Sequence, residues 1–270
     1  MTPQKLPSSR GRTRLDEALV GRGLTDSRSR ARALILAGDA LVNGVSIVRA
    51  GTSVLESDEL SLKSAPRFVS RGGDKLNHGL DAFGLDVRGA VVADFGASTG
   101  GFTDCLLQRG ASRVYAIDVG YGQMVDKLRQ DARVIVMDRV NARQLDSLPE
   151  AVDLVTIDVS FIGLNLVLPA ASRLLNEPGR ILALIKPQFE AGRADVGRGG
   201  VVRDPRVHRR VLKDAFTIVR QLELGIVGLT VSPLRGPAGN VEFLSLLKPR
   251  ANSIPEDSAI DRVMEEAAIL

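Results

Sequence analysis

The sequence predicts an α/β protein: a mostly parallel sheet of seven strands wrapped by helices, preceded by a small α+β module. Three observations carry that reading. Seven short apolar runs recur between Val91 and Leu247, with helical patterns between most of them. A glycine-rich turn closes the first run. The excess of positive charge lies in the first 75 positions. Strands alternating with helical stretches of this length indicate a parallel sheet covered by helices.

Composition narrows the class. The 270 residues suffice for one large domain or two unequal ones. A hydrophobic content of 44% excludes global disorder. No apolar run reaches the length of a membrane span. The opening MTPQKLPSSRGRTR lacks the apolar core of a signal peptide, so a cytoplasmic protein off the membrane is expected. Cys105 is the only cysteine, which excludes an intramolecular disulfide and a multi-cysteine metal site. His78 and His208 are too few for most zinc or iron chemistry, and no metal is expected.

Charge is distributed unevenly. Residues 1–75 hold 13 Lys and Arg against 8 Asp and Glu, whereas the remainder holds 23 against 24. A basic module ahead of a near-neutral one suggests a polyanion partner; a solvated surface would show the same charge. Phe68 is the only aromatic residue among the first 75. Such a head cannot stack bases on an aromatic platform and would read phosphates and RNA shape.

The front module spans about 12–63. Arg14 to Leu19 opens a short helix that ends at Gly21 or Gly23. Ser27 is placed to cap a second helix, which Gly38 stops. Ala31, Leu34 and Ile35 should face its core. Asn43-Gly44 marks a hairpin turn, and short strands follow to Leu62. The string RLDEALVGRGLTDSRSRARALILAGDALVNG resembles the alpha-L RNA-binding fold. That resemblance implies RNA-backbone contacts for Arg28, Arg30 and Arg32, and for Arg14. Arg71 is counted among the RNA contacts as well. Residues 64–73 are expected to be a linker, with a helix beginning near Asp74 after Gly72-Gly73.

The second module is expected over 74–250, with 251–270 as an extension. Its strands are predicted at Val91–Phe95, Val114–Ile117, Val134–Met137, Leu154–Ile157, Ile181–Ile185, Ile226–Val231 and Phe243–Leu247. Ligands in such sheets bind at the C-terminal strand ends, so the residues closing each strand matter most. The first strand closes into Gly96-Ala97-Ser98-Thr99-Gly100-Gly101-Phe102. A Walker loop would need a lysine where Phe102 stands, and the dinucleotide fingerprint a glycine where Ser98 stands. Two readings are left: a loop that wraps S-adenosylmethionine, and a plain tight turn. Asp118 closes the second strand, where an acid can accept hydrogen bonds from ribose hydroxyls. Asp138, after the third, is placed near the adenosine end. Asp158 and Lys186 close the fourth and fifth strands, and Glu242 opens the last. Lys75 lies in the helix before the first strand. Two lysines and two acids are thereby expected near one sheet edge. Ala191–Asp204, with four glycines, reads as a long flexible loop that could act as a lid or touch RNA.

The motifs GASTGGF (96–102), DVGYGQ (118–123), DVSFI (158–162), KPQFE (186–190) and GNVEF (239–243), with VSRGGDKL (69–76), are similar to the TlyA family. The similarity runs from Arg14 to about Leu247. It implies a Rossmann-like, FtsJ-like methyltransferase domain that uses S-adenosylmethionine on the ribose 2′-hydroxyl of cytidine in ribosomal RNA, within ribosomal subunits. The family's Lys-Asp-Lys-Glu tetrad falls on Lys75, Asp158, Lys186 and Glu242. The cofactor-binding residues fall on 96–102, Asp118, Asp138 and Asp158. Phe68 departs from the Tyr or Trp usual at its position. The tails at 1–13 and 248–270 resemble the longer members, which act on both subunits. The family is also called haemolysin, and the lack of a spanning segment argues against pore formation. A monomer is expected.

Other readings stand beside this one. A non-catalytic RNA-binding or ribosome-assembly factor could carry the same head. A pseudouridine synthase would need no loop such as GASTGGF. A base methyltransferase would need a catalytic cysteine or an Asn/Asp-Pro-Pro motif, and Asp158-Val159-Ser160-Phe161 has no proline.

Overall fold

The computed structural model describes residues 12–25, 27–63 and 67–270. The chain divides between residues 65 and 66 into two compact units.

The first unit holds β1 (Arg12–Arg14), α1 (Leu15–Gly21), α2 (Arg28–Leu36), β2 (Ala40–Val42), β3 (Val45–Ser46), β4 (Ser53–Leu55) and β5 (Leu60–Leu62). The hydroxyl of Ser27 accepts the amide of Arg30 and caps α2. Gly38 follows α2 at φ +77°, a conformation that costs glycine little. Asn43 and Gly44 both have positive φ, as a two-residue hairpin demands, and join β2 to β3. Leu15, Leu19, Ala31 and Ile35 are fully buried and form a small core. Leu34 is only half-buried, because the helix turns that flank toward its edge.

The second unit begins with α3 (Arg71–Ala82), one turn earlier than the sequence suggests. Residues 67–70 belong to its packing. Phe68 is buried in its core against Gly73, and the amide of Val69 donates to Asp104 (2.9 Å). The succession is then β6 (Val91–Phe95), α4 (Gly101–Gln108), β7 (Arg113–Asp118), α5 (Asp126–Arg129), β8 (Val134–Asp138), β9 (Val152–Ile157), α6 (Leu164–Leu174), β10 (Leu175–Ile185), α7 (Pro187–Glu190), α8 (Pro205–Gln221), β11 (Leu224–Val231), β12 (Phe243–Pro249) and α9 (Glu256–Ile269). The seven strands run in the order β11-β12-β10-β9-β6-β7-β8, and β12 alone is antiparallel to its neighbours.

Strand order reverses between β6 and β9, which pair directly. Neighbouring loops depart to opposite faces there and leave a crevice at the C-terminal ends. Alternate residues of β6 feed two cores: Ala93 and Phe95 pack on one face, Val92 on the other. Helix α9 is not an appendage. Its Ala259, Ile260, Val263 and Ala267 are buried in the same core as α8 and β11.

Candidate active site

The turn after β6 requires glycine. Gly96 has φ +84°, and a Cβ there would lie 2.7 Å from the carbonyl oxygen of Asp158. A Cβ on Gly101 would collide with the hydroxyl of Ser70. The loop from Gly96 to Phe102 therefore closes tightly on its neighbours while leaving backbone exposed to a ligand. It is braced from β7: Asp118 accepts the amides of Ser98 (2.8 Å) and Gly120 (2.7 Å).

Two cavities meet at Gly96. One, of about 500 Å³, is bounded by the loop, by α3 and by the ends of β9 and β10. The other, of about 420 Å³, runs from Gly96 and Asp118 to Asn141. They share Gly96, Ser98, Asp158 and Ser160, and together form one bent cleft over the reversal of strand order.

Lys75, Asp158, Lys186 and Glu242 all line the first cavity. They form two ion pairs: Lys75 Nζ to Glu242 Oε2 at 2.5 Å, and Lys186 Nζ to Asp158 Oδ1 at 2.6 Å. The lysine side chains are 8% and 10% exposed, so each cation has a carboxylate in place of water. Lys186 also reaches the hydroxyl of Ser160 (3.3 Å), and the amide of Gln188 donates to Glu242 (3.2 Å). Burial raises the Asp158 carboxyl above the usual carboxylate range, against the opposing charge of Lys186.

The other expected residues fall as follows. Ala97, Thr99 and Phe102 line the first cavity, and the Phe102 ring also belongs to a core. Gly100 has φ +98° and turns the chain into α4, with Leu128 filling the space beside it. Arg71 lines the same cavity and donates to the carbonyl of Arg235 (2.7 Å). Asp138 does not line either cavity. Its carboxylate pairs with Arg129 (2.7 Å), and the residues just beyond it, Val140 and Asn141, line the second cavity instead. Arg14, Arg28 and Arg32 converge on Asp16, and Arg30 is exposed on α2.

The segment 191–204 is more ordered than its glycines suggest. A 3-10 turn covers Arg193–Asp195, and Gly197 bridges to Val201. The buried Asn240 accepts the amide of Val202 and donates to the carbonyl of Gly200, both at 2.9 Å. Propensity alone misses this, because the anchors lie 38 and 40 residues away in sequence.

Four further residues escaped the sequence reading although they stand in or beside the motifs. Ser160 touches Lys186 and Gln188 touches Glu242. Asp94, fully buried in β6, accepts the hydroxyls of Thr103 (2.7 Å) and Thr156 (2.9 Å), and burial pushes its carboxyl up to about 7. Phe161 has φ +64°, is 90% exposed, and its ring centroid lies 4.9 Å from that of Phe189. Its exposure, its left-handed φ and its place beside the second cavity exist only in the folded chain, so no sequence signal marked it.

A family model, FtsJ-like methyltransferase, matches residues 68–248. The 16S/23S rRNA (cytidine-2'-O)-methyltransferase TlyA of Mycobacterium tuberculosis is 45% identical over 247 residues, 89% of this chain and 91% of that one. The chain belongs to the TlyA family of FtsJ-like methyltransferases. Hemolysin A of Brachyspira hyodysenteriae is 40% identical to this TlyA-family chain over 86% of it and 98% of its own length. A solved structure from Streptococcus thermophilus, described as a hemolysin, covers 97% of both chains with a TM-score of 0.75 and 39% identity. Among the described residues, no helix of this family member is long and apolar enough to cross a membrane.

Proposed function

We propose that this methyltransferase transfers the sulfonium methyl of S-adenosylmethionine to the ribose 2′-hydroxyl of a cytidine in ribosomal RNA. The observation that carries the reading is the pairing of Lys75–Glu242 and Lys186–Asp158 in the cavity that begins at Gly96. The glycine loop fits the cofactor because side chains at 96 and 101 would fill the cradle. Bound there, the cofactor supplies an electrophilic methyl group and needs no phosphate-binding lysine. Asp118, already fixed by two amides, keeps lone pairs for the ribose hydroxyls of the cofactor. Val140 and Asn141 rather than Asp138 would face the adenine.

A ribose hydroxyl is a weak nucleophile and needs a base or a stabilising cation at the oxygen. Lys186 presents N–H groups there, held by Asp158 and Ser160. The Lys186–Asp158 pair would take the proton that the ribose oxygen gives up on methylation and pass it to solvent. The raised affinity of Asp158 for a proton suits it as the temporary acceptor. Lys75, locked by Glu242, positions the nucleotide. The exposed Phe161 ring offers a face to the base. The relative named for 16S and 23S substrates, matched over most of its length, supports both ribosomal subunits as partners. Since those partners are cytoplasmic, so is the expected site of action.

The test is methyl transfer from labelled S-adenosylmethionine to ribosomal subunits of cells lacking this protein, with the product located by mass spectrometry. A methyl group on a cytidine ribose is expected. A methyl on a base, or none on RNA, would overturn the reading.

A further inference from the structure

Asp16 is a fully buried carboxylate in a module whose partner is expected to be anionic. Its place in α1 brings it against three guanidinium groups. Arg14 donates to both its oxygens through Nε (3.0 Å) and Nη2 (3.2 Å). Arg32 donates through Nε (3.0 Å) and Arg28 through Nη2 (3.2 Å). Arg28 and Arg32 stand four apart on α2 and share a face; Arg14 arrives from the end of β1. The arginine side chains are 47%, 48% and 53% exposed, so the cluster has a buried centre and a wet rim. Glu17 also pairs with Arg28 (3.1 Å), which leaves three positive charges against two negative.

We propose that Asp16 is a positioning residue which gathers Arg14, Arg28 and Arg32 into one preorganised site for the phosphate backbone of RNA. The inference rests on the RNA reading of this module. Three guanidinium groups this close repel one another, and long side chains left to themselves spread and sample many rotamers. One carboxylate with about four lone-pair sites can hold three planar forks without using most of their N–H donors. Guanidinium groups fixed beforehand lose less entropy on meeting a phosphate. Residues 1–65 contain no Phe, Tyr or Trp, so stacking on aromatic rings is not open to this unit and contact with RNA falls to its arginines. The arginine contacts hold the Asp16 carboxyl well below the usual range, so it stays ionised at any pH where RNA binding is measured.

The test sets two physical effects against each other. Asp16→Asn keeps the shape and adds one net positive charge. Electrostatics without positioning predicts tighter binding to a polyanion and a steeper salt dependence. Positioning predicts weaker binding. Full-length protein is titrated with isolated ribosomal subunits over a range of salt concentrations. Asp16→Asn is expected to weaken binding about tenfold, equal to about 1.4 kcal/mol. The slope of log K against log salt should become shallower by roughly one phosphate contact or more. Affinity for S-adenosylmethionine, whose loop lies in the other unit, should stay unchanged. Arg14→Lys covers the case in which Asp16→Asn misfolds: it leaves net charge and Asp16 in place but removes the fork, and should also weaken binding. Binding by both folded variants equal to or tighter than that of the unaltered protein overturns the proposal. If the unaltered protein itself shows no salt-dependent binding, the RNA reading of the module fails, and the role of Asp16 with it.

Discussion

The buried carboxylates of the two units sit in clusters of opposite balance. In the cleft at Gly96, two lysines meet two carboxylates, every side chain is mostly shielded from water, and the charges cancel. In the first unit, Asp16 meets three half-exposed arginines, and positive charge is left over. The difference fits the role proposed for each. A site that accepts a proton and a developing negative charge cannot hold a large fixed potential without trapping its product. A surface that grips a polyanion needs a surplus, and solvent lowers the energetic penalty of keeping it. Lysine, a compact point charge, serves the first purpose; arginine, a planar fork, serves the second.

Breaking the compensation should separate the two regions most sharply. Glu242→Gln leaves Lys75 buried opposite a neutral amide. Denaturant unfolding of that variant should show a loss of about 3–5 kcal/mol, the range for stripping one partner from a buried pair. Asp16→Asn should destabilise by much less, since its arginines can turn to water. Equal losses at the two positions would remove the contrast between buried and wet clusters.

Within the cleft, Lys186→Met should lower methyl transfer by about 10²–10⁴-fold, the usual range for a group that moves a proton or holds its charge. Calorimetric affinity for S-adenosylmethionine should change by less than about threefold, because Lys186 does not touch the glycine loop. Turnover near that of the unaltered enzyme would take Lys186 out of the mechanism.

An effect that appears only as pH changes concerns Asp94, buried without any cation. Its carboxyl is raised to about 7 in the folded chain. Between the ordinary carboxylate range and that value the unfolded chain has already lost the proton that the folded chain keeps. Stability from this group therefore falls as pH rises through that window and levels off above it. Asp94→Asn has no such proton to lose. Melting measured from pH 4 to 8 should show the variant gaining on the unaltered protein by several degrees as pH rises. A constant difference across that range would mean that Asp94 is ionised throughout.

Some of this was legible before any coordinates. The alternation of apolar runs with helical patterns predicts the seven strands, because burial on both faces leaves near-continuous hydrophobic segments. Strand and helix positions placed Asp158, Lys186, Glu242 and Lys75 near one sheet edge, and the family motifs grouped them as a tetrad. The rule that ligands gather at C-terminal strand ends placed Asp138 at the adenosine end, where the structure shows an ion pair with Arg129. Strand position says where a Cα lies but not which way its side chain finds a partner. Helix α9 was read as an extension because its amphipathic face has no meaning until α8 and β11 are there to cover it.

By itself, then, the sequence determined the order of elements, the glycine turn at 96–101 and the set of charged residues available for chemistry, since these depend on neighbours within a few positions. Only the tertiary structure decided the pairings: Lys75 with Glu242 across 167 positions, Lys186 with Asp158, and Arg28 and Arg32 with Asp16. Ion pairing depends on distances of a few ångströms and on the exclusion of water, and neither exists until strands and helices distant along the chain pack together.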